Sequence, residues 1–478
     1  MSAQRATLAA VLWLLACGSG SPPQPPHVLL LTVDTLRPDY LSFNGYTPET
    51  SPDLDGLLRR SAYFDDALTP VPRTTPALAS LLTGAYPHTT GVRTLTDALR
   101  EGVVSLPERL RDAGYQTLAV VSNNVLGRER GLQRGFTVYD FGADGRSARQ
   151  TVDAALVHLG RVLPGSPVFA WIHFVDPHVP YHPAPADAQA LDPGYSGAHR
   201  LHFGWNRQPG EPADRHRAFP AELRKGEVTH RNALSDAVNA HIRRLYAADI
   251  RGLDREIGRL LEAVQTRLGG ELLVVFTADH GESLGEHDLF FDHGDYVYGA
   301  SARVPLAFAL PEGHPLAGGR RCDGAVSLVD VVPTLLELLG MAPPEAPSPA
   351  LEGRSLLPCL RGETLAPEPV FSESGFSFYP EWVPRRVRND PEGRFRAVTR
   401  AGWRLVWTPF AAEHEAWELY DLRADPDETH NLYRADHPQV ASLSAALTSW
   451  LARQPEAVPA KGIDPADQQA LRALGYLE

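Results

Sequence analysis

The chain contains several short, uninterrupted apolar runs, and amphipathic segments lie between them. Four such runs lie at residues 27–33, 115–122, 168–175 and 271–278. Apolar runs of this length predict strands that are buried on both faces of a parallel sheet. Helix-period patterns occupy residues 52–61, 76–83, 105–113, 148–162 and 233–267. This alternation predicts an α/β fold with a central, mostly parallel sheet.

The pattern changes from about residue 366. The segments FRAVTRAGWRLVWTP and AWELYDL alternate or are rich in aromatic side chains, and the chain ends in the helix-like DPADQQALRALGYLE. Such patterns are typical of antiparallel strands. We therefore expect a catalytic domain over 27–365 and a small C-terminal α+β subdomain over 366–478. Residues 183–230 are rich in Pro, Gly, His and Arg, which predicts a long surface excursion that shapes the substrate mouth.

The N-terminus has the pattern of an export signal. Arg5 precedes an apolar stretch from Leu8 to Ala16 that is too short to span a bilayer. The following LLAC resembles the bacterial lipoprotein signal, in which Cys17 is acylated and becomes the mature N-terminus. The alternative, a core helix that ends in cysteine, is disfavoured by the flexible GSGSPPQPP that follows. We expect a signal peptide over 1–16, a lipidated tether over 17–26, and anchoring at the periplasmic face of the outer membrane, since Gly18 follows the cysteine.

Charge and cysteine content narrow the possible partners. The chain has 478 residues and a net charge of −13, without a Lys/Arg run that would bind a polyanion, so we expect no nucleic-acid partner. Later apolar segments are too short to cross a membrane, which leaves the lipid as the expected membrane attachment. Cys322 and Cys359 could pair in an oxidising compartment, but the sequence leaves their pairing open.

Two of the predicted strands end in acidic residues. Asp34 follows the first strand, and Asp279 and His280 follow the strand at 271–278. Because functional groups of α/β sheets collect beyond the carboxyl ends of the strands, we expect these side chains to meet. A single acid at such a place could simply cap the next helix. A second acid, paired with a histidine and followed by Gly281, predicts a site for one metal ion.

Four sequence blocks carry a resemblance to a known family. HVLLLTVDTLRPDYLSFNGY, TTPALASLLTGAYPHTTGVR, TADHGESLGEH and LYDLRADPDETHNL occur in this order and resemble the sulfatase family of the alkaline phosphatase superfamily. The resemblance covers nearly the whole mature chain. It implies an alkaline-phosphatase-like three-layer sandwich, one divalent metal ion, and hydrolysis of sulfate or phosphate-type esters.

The nucleophile position departs from the family pattern. The resemblance implies a Cys or Ser that is oxidised to formylglycine, with Arg four residues later, whereas this chain has Thr74 and Leu78. Threonine is not a substrate for that oxidation, so we expect no formylglycine and a plain hydroxyl nucleophile. A phosphorylated threonine turns over by metal-assisted displacement, whereas a sulfated one lacks the exit that a formylglycine hydrate has. The alternative role for Thr74 is an N-cap of the helix at 76–83, although Thr75 is the better candidate for the cap.

The metal and substrate positions also differ from those of calcium-binding sulfatases. The metal ligands implied by the resemblance are Asp34, Thr74, Asp279 and His280. An imidazole in place of a carboxylate favours Mn²⁺ or Zn²⁺ over Ca²⁺. By resemblance, His178 contacts the ester oxygens or protonates the leaving group, and His293 replaces a lysine that touches the anion. The remaining expected substrate contacts are Asn123 and His173.

Three classes of function remain open. The favoured one is a metal-dependent hydrolase of a small-molecule, glycan or lipid ester, with a phosphodiester or phosphonate as substrate and a true sulfatase as the alternative. A transferase is the second class, but the membrane-embedded transferases with a threonine nucleophile carry N-terminal spans that this sequence lacks. A non-catalytic protein that binds sulfated or phosphorylated glycans is the third. The loss of the family's arginine favours that class, and the retained metal ligands argue against it.

Overall fold

The computed structural model describes residues 25–142, 145–197, 199–204, 225–269, 271–341, 351–375 and 393–453, together with Gln468 and Leu471. The expected signal peptide, Cys17 and most of DPADQQALRALGYLE lie outside these residues. Export and lipidation at Cys17 therefore stay predictions. Within the described residues, no helix combines the length and the apolar character needed to cross a membrane.

A nine-stranded sheet forms the centre of the catalytic region. The strands up to residue 327 are, in chain order, β1 (His27–Val33), β2 (Ala62–Leu68), β3 (Gln116–Val121), β4 (Val138–Phe141), β5 (Val168–Phe174), β6 (Leu272–Ala278), β7 (Ser283–Leu284), β8 (Phe290–Asp292), β9 (Arg303–Ala309), β10 (Arg320–Cys322) and β11 (Val326–Ser327). The sheet order is β10-β2-β9-β6-β1-β5-β3-β4, with β11 also paired to β2, while β7 and β8 form a separate hairpin. Within this sheet β9 runs antiparallel to β2 and β6, and the other pairings are parallel. The predicted central, mostly parallel sheet is confirmed.

The register of β1 fixes where the functional residues meet. All side chains of β1 except the first are buried, which explains its unbroken apolar run. Val33 lies opposite Phe174 of β5 and Ala278 of β6, and all three strands run in parallel. The residues that follow these strands therefore gather at one edge of the sheet.

Helices cover the sheet in two packed groups. The α-helices are α1 (Pro52–Arg59), α2 (Thr74–Thr83), α3 (Pro87–Thr90), α4 (Leu106–Asp112), α5 (Ala148–Leu159), α6 (Pro185–Leu191), α7 (Lys225–Thr229), α8 (Asp236–Leu268), α9 (Gly299–Ala302), α10 (Val331–Leu338), α11 (Leu357–Leu360) and α12 (Pro438–Leu451). Short 3₁₀ helices lie at Pro38–Tyr40, Ser42–Asn44, Asn124–Leu126, Arg128–Arg130, Glu286–Asp288 and Leu328–Asp330. The long α8 packs against α1, α5 and α6, whereas α2 packs against α3, α4 and α10. This arrangement confirms the three-layer sandwich.

Helix α2 begins two residues earlier than its periodicity predicts. Its N-cap is Arg73, which makes no side-chain capping bond, and all residues from Thr74 to Thr83 are buried. The Thr75 hydroxyl donates instead to the Leu95 carbonyl oxygen at 3.1 Å. The prediction that Thr75 caps this helix is therefore wrong, because the loop that carries Leu95 supplies the hydroxyl with a tertiary partner.

The C-terminal region forms the predicted antiparallel sheet. Its strands are β12 (Val370–Glu373), β13 (Arg396–Arg400), β14 (Trp403–Trp407) and β15 (Trp417–Asp421), in that order across the sheet. Helix α12 packs against β13 and β14. The domain boundaries themselves stay predictions.

Two local features add to the sequence prediction. Helices α6 and α7 lie within the excursion at 183–230, where the sequence shows little periodicity, and α6 is stabilised by packing against α8. Cys322 and Cys359 form a disulfide with a Cα–Cα distance of 6.0 Å. The pairing that the sequence left open is therefore present, and it links β10 to α11.

Candidate active site

Two buried carboxylates form the centre of the site, at the ends of the adjacent strands β1 and β6. Asp279 Oδ1 accepts hydrogen bonds from the backbone N–H groups of Thr35, at 3.2 Å, and His280, at 2.7 Å. Its other oxygen, Oδ2, has no hydrogen-bond partner, and neither has Oδ1 of Asp34. Both residues are 0% exposed. Each carboxylate thus holds one buried oxygen that no protein donor satisfies.

The electrostatics of the pair agree with this geometry. Burial raises the pKa of Asp34 well above its ordinary value, and the neighbouring charge of Asp279 raises it further. Burial likewise raises the pKa of Asp279, to about 8. Two carboxylates held together away from water favour protonation unless a positive charge joins them.

The imidazole of His280 faces the same point. Its Nδ1 lies 2.9 Å from the Gly281 carbonyl oxygen, so Nδ1–H donates and Nε2 keeps its lone pair. Nε2 lies 3.7 Å from Asp34 Oδ1 and 3.5 Å from Asp279 Oδ2. Burial, followed by the charge of His293, lowers the pKa of His280 well below its ordinary value. A neutral imidazole therefore directs a lone pair at both carboxylates.

His173 joins these residues from β5. Its Nδ1 lies 2.9 Å from the Thr32 hydroxyl oxygen, while Nε2 has no hydrogen-bond partner and lies 3.9 Å from Asp34 Oδ2. One ligand atom each from Asp34, His173 and Asp279 lies within 4.8 Å of the others. Burial lowers the pKa of His173 to about 3. The predicted contact of His173 with substrate stays a prediction, but the structure places its imidazole beside the carboxylates of Asp34 and Asp279.

We use the name Asp–His cluster for the group formed by Asp34, His173, Asp279 and His280. Its carboxylate oxygens and imidazole nitrogens are buried, lie close together and include three atoms without hydrogen-bond partners. A divalent cation satisfies such atoms and offsets the repulsion of the two acids. The mixed nitrogen and oxygen donors suit Mn²⁺ or Zn²⁺. The residues present therefore fit the metal ion that the sequence predicts.

The hydroxyl of Thr74 lies against the Asp–His cluster. Thr74 is 1% exposed, and its Oγ1 lies 3.4 Å from His280 Nε2. The nearby hydroxyl is among the influences that lower the pKa values of Asp34 and Asp279, against the larger effect of burial. As the first residue of α2, Thr74 also lies at the positive end of the helix dipole, which stabilises an oxyanion. The hydroxyl therefore lies beside the His280 imidazole and at the N-terminus of α2, and its role as nucleophile stays a prediction.

Asn123 is hydrogen-bonded to the Asp–His cluster through Asp34. Its Nδ2 donates a short hydrogen bond to Asp34 Oδ2, and its Oδ1 accepts from the Val125 backbone N–H at 3.1 Å. Both ends of the amide are thus engaged, and the contact orients Asp34. The predicted contact of Asn123 with substrate stays a prediction.

Two further histidines line the site. The ring of His293 lies 4.3 Å from that of His280 and 5.2 Å from that of His178, measured between centroids. His293 Nδ1 lies 3.0 Å from Glu282 Oε1, and both side chains are buried. The Glu282 carboxylate therefore orients His293. Sequence reasoning missed Glu282, although its place two residues after His280 within TADHGESLGEH was a signal.

Comparison with known proteins decides the family. The family model described as Sulfatase matches residues 26–341, and the one described as N-sulphoglucosamine sulphohydrolase, C-terminal, matches residues 285–456. The chain belongs to the sulfatase family. It is 23% identical to an N-acetylglucosamine-6-O-sulfatase of Bacteroides thetaiotaomicron, over 91% of this chain and 88% of that protein.

Solved structures show the same fold. An enzyme in complex with its substrate D-glucosamine-2-N,6-O-disulfate superposes with a TM-score of 0.71 at 19% identity, covering 91% of this chain and 99% of that one. A phosphonate monoester hydrolase of Agrobacterium radiobacter superposes with a TM-score of 0.67 at 20% identity, covering 89% and 95%. The sulfatase fold therefore extends over nearly the whole described chain.

Because the chain belongs to the sulfatase family, it is an ester hydrolase. The family depends on a metal ion, and the structure holds a group of residues that could bind one. Position 78, where the resemblance implies an arginine, carries a leucine that is 0% exposed. Leu78 packs in the hydrophobic core. The site thus differs from the sulfatase pattern at this basic position and keeps the acids and the imidazole that face the metal position.

Proposed function

We propose that this sulfatase-family hydrolase cleaves phosphate-type esters, a phosphodiester or a phosphonate monoester, with Thr74 as its nucleophile. The observation that carries the proposal is the Thr74 hydroxyl, whose Oγ1 lies 3.4 Å from His280 Nε2, the imidazole nitrogen that itself lies 3.7 Å from Asp34 Oδ1 and 3.5 Å from Asp279 Oδ2. A side chain that served only as a helix cap would instead bond to its own helix.

The residues divide the reaction between them. Asp34, Asp279 and His280, joined by His173, would hold the divalent ion. Such an ion, which we expect to be Mn²⁺ or Zn²⁺, would supply Lewis-acid polarisation of the ester and a lower pKa for a bound hydroxyl.

The Thr74 hydroxyl loses its proton to solvent, and its Oγ1 forms a bond to phosphorus while the bond from phosphorus to the ester oxygen breaks. His178 gives its proton to the leaving oxygen, and His293, oriented by Glu282, contacts the anion. Water then attacks phosphorus and gives one proton to the now neutral His178, the bond to Oγ1 breaks, and Oγ1 takes up a proton from solvent, which regenerates threonine together with the free acid.

A true sulfatase is the second candidate. It is favoured by the relatives, which include the N-acetylglucosamine-6-O-sulfatase of Bacteroides thetaiotaomicron. The chemistry of threonine opposes it, because a sulfated threonine has no aldehyde to collapse to and needs attack of water at sulfur. We therefore rank sulfate esters below phosphate-type esters. The substrate is a small-molecule, glycan or lipid ester in either case.

The place of action that we propose is the bacterial cell envelope, with the chain lipid-anchored through Cys17 on the periplasmic face of the outer membrane. The lipoprotein-like LLAC supports export. The disulfide between Cys322 and Cys359 supports an oxidising compartment.

Ester turnover by matched threonine variants tests the proposal. The wild type, Thr74→Ala and Thr75→Ala are assayed against aryl phosphate monoesters, diesters, phosphonates and sulfates, with Mn²⁺, Zn²⁺ and Ca²⁺ in turn. Thr75 is the control because its equally buried hydroxyl donates to Leu95 O. We expect diester or phosphonate turnover to exceed sulfate turnover, to vanish in Thr74→Ala and to persist in Thr75→Ala. Preferred turnover of sulfate, or activity of Thr74→Ala, would contradict the proposal.

A further inference from the structure

Arg73 lies directly before the proposed nucleophile, and its side chain packs against Gly294, the residue after His293. Its guanidinium Nη2 lies 3.2 Å from Asp295 Oδ1, and the whole residue is 3% exposed. Asp295 Oδ2 in turn lies 3.1 Å from His230 Nε2. The guanidinium is therefore held at its far end by a buried carboxylate that is itself held by an imidazole.

Two glycines confine the Arg73 side chain. A Cβ at Gly294 would lie 1.9 Å from Arg73 Nε, and one at Gly375 would lie 2.7 Å from Arg73 Cγ. The two glycines are themselves joined, since Gly375 N–H donates to the Gly294 carbonyl oxygen at 2.7 Å. The close approach of these backbones gives the side chain one path, along the loop that carries His293. Such confinement lowers the entropy cost of presenting the guanidinium to a ligand.

The acidic groups around Thr74 would repel an ester anion unless cations offset their charge. Asp34, Asp279 and Glu282 are all 0% exposed, and an ester anion adds further negative charge. A single divalent ion offsets two of these charges. Arg73 Nε lies against the backbone of Gly294, and the ring of the preceding residue, His293, lies 4.3 Å from that of His280. Position 78, where the sulfatase pattern has arginine, is a leucine buried in α2.

We propose that Arg73 is an anion-binding residue of this site and contacts the non-reacting oxygens of a tetrahedral ester anion. Its planar fork matches two oxygens of a phosphate or sulfate group. Asp295 aligns the fork and His230 supports Asp295. The inference rests on the proposed function for its substrate class, but it concerns binding and not the nucleophile.

Binding of inorganic phosphate and inorganic sulfate tests the inference without turnover. Isothermal titration calorimetry is run on the full chain with Mn²⁺, using wild type, Arg73→Gln, Arg73→Lys and Arg255→Gln. Arg255 is the control because it pairs with the carboxylate of Asp187 through both guanidinium nitrogens, at 2.9 and 2.6 Å, on the distant helix α8. We expect Arg73→Gln to weaken anion binding by roughly 10- to 100-fold. The anion affinity of Arg73→Lys should lie between those of Arg73→Gln and wild type. The anion affinity of Arg255→Gln should equal that of wild type.

Two further measurements separate a loss of anion binding from a loss of fold or of bound Mn²⁺. Circular dichroism and Mn²⁺ content are recorded for each variant, and we expect both to match wild type. Wild-type anion affinity in Arg73→Gln, or a loss of affinity explained by lost Mn²⁺ or by a loss of fold shared with Arg73→Lys, would overturn the inference. Failure of wild type to bind either anion would overturn it as well.

The inference and the proposed function can fail separately. Tight anion binding that depends on Arg73, without turnover of any ester, would contradict the proposed function and support the inference. Ester turnover that requires Thr74 but is unchanged in Arg73→Gln, together with unchanged anion affinity, would support the proposed function and contradict the inference.

Discussion

Two buried clusters of charge in this molecule are neutralised in opposite ways. The Asp–His cluster brings two carboxylates together with imidazoles. The second, which we call the Arg–Glu cluster, surrounds the buried Glu373 carboxylate with Arg93, Arg394 and Arg396, at N–O distances of 3.4, 3.3 and 3.6 Å. Burial raises the pKa of Glu373, but the three guanidinium groups outweigh burial and the pKa lies below its ordinary value. The pKa values of Asp34 and Asp279 move the other way.

The contrast separates a cluster built for stability from one built for chemistry. The Arg–Glu cluster carries its cations in the chain, so its carboxylate is paired as soon as the chain folds. The Asp–His cluster combines raised carboxylate pKa values with lone-pair imidazoles, which is the arrangement that accepts a cation from solution. Substitutions in the two clusters should therefore have opposite consequences for stability and activity.

The largest effect is expected for Asp279→Asn. Asparagine keeps the oxygen that accepts from Thr35 N and His280 N but removes a metal ligand and a buried charge. We expect ester turnover to fall by roughly a thousandfold or more. The metal-free variant should be more stable than metal-free wild type by about 1–3 kcal/mol. Steady-state kinetics and denaturant unfolding in chelator measure both. A variant that is less stable than wild type would break the comparison.

Glu373→Gln should show the reverse pattern. The substitution removes the carboxylate that lies between two buried guanidinium groups, those of Arg394 and Arg396, and the partly exposed Arg93, which we expect to cost about 3–5 kcal/mol of unfolding free energy. The folded fraction should retain its ester turnover and its Mn²⁺ content. Urea unfolding followed by circular dichroism checks the stability, and an unfolding midpoint equal to that of wild type would contradict this interpretation of the Arg–Glu cluster.

Metal removal should affect only the Asp–His cluster. A bound ion stabilises the folded state by an amount that depends on its concentration, about 2.7 kcal/mol when the ion is present at a hundred times its Kd. We expect Mn²⁺ to raise the melting temperature of wild type and of Glu373→Gln by similar increments, and to leave that of Asp279→Asn unchanged. Equal increments in all three proteins would place the ion elsewhere.

The pH dependence of stability should carry opposite signs at the two clusters. Asp279 titrates near 8 when folded, against 3.8 in the ordinary case, so the folded state binds its proton more tightly. In chelator, wild type should therefore lose stability relative to Asp279→Asn as the pH rises from about 4 to 8.

Glu373 should behave in the opposite sense. Its folded pKa lies below the ordinary 4.5, so its contribution is present above that pH. The stability advantage of wild type over Glu373→Gln should shrink as the pH falls below 4.5. Unfolding curves collected from pH 3 to 8 measure both slopes, and a pH-independent difference at either cluster would contradict its assignment.

The sequence predicts the parallel sheet and much of the Asp–His cluster because both follow from local patterns. Unbroken apolar runs mark β1, β5 and β6, and the polar residues that end neighbouring parallel strands must meet. Asp34, Asp279 and His280 could be identified in this way.

The position of His173 could not be predicted in the same way. Its place depends on the register of β5 against β1, which pairs it with Thr32. The roles of Arg73, Glu282 and Asp295 depend on loops that fold back onto α2, and no periodicity specifies such contacts. Thr75 failed as a predicted cap for the same reason, since its partner Leu95 lies on another loop.

The central claim is that Thr74 becomes covalently attached to the ester's phosphorus during turnover. The most direct measurement is acid quenching of the Mn²⁺-loaded wild type during steady-state turnover of an aryl phosphonate or aryl phosphodiester, followed by peptide mapping by mass spectrometry. The account predicts a phosphorus-containing modification on Thr74 in wild type and none on the equivalent peptide of Thr74→Ala. Turnover by wild type with Thr74 unmodified, or with the modification on another residue, would contradict it.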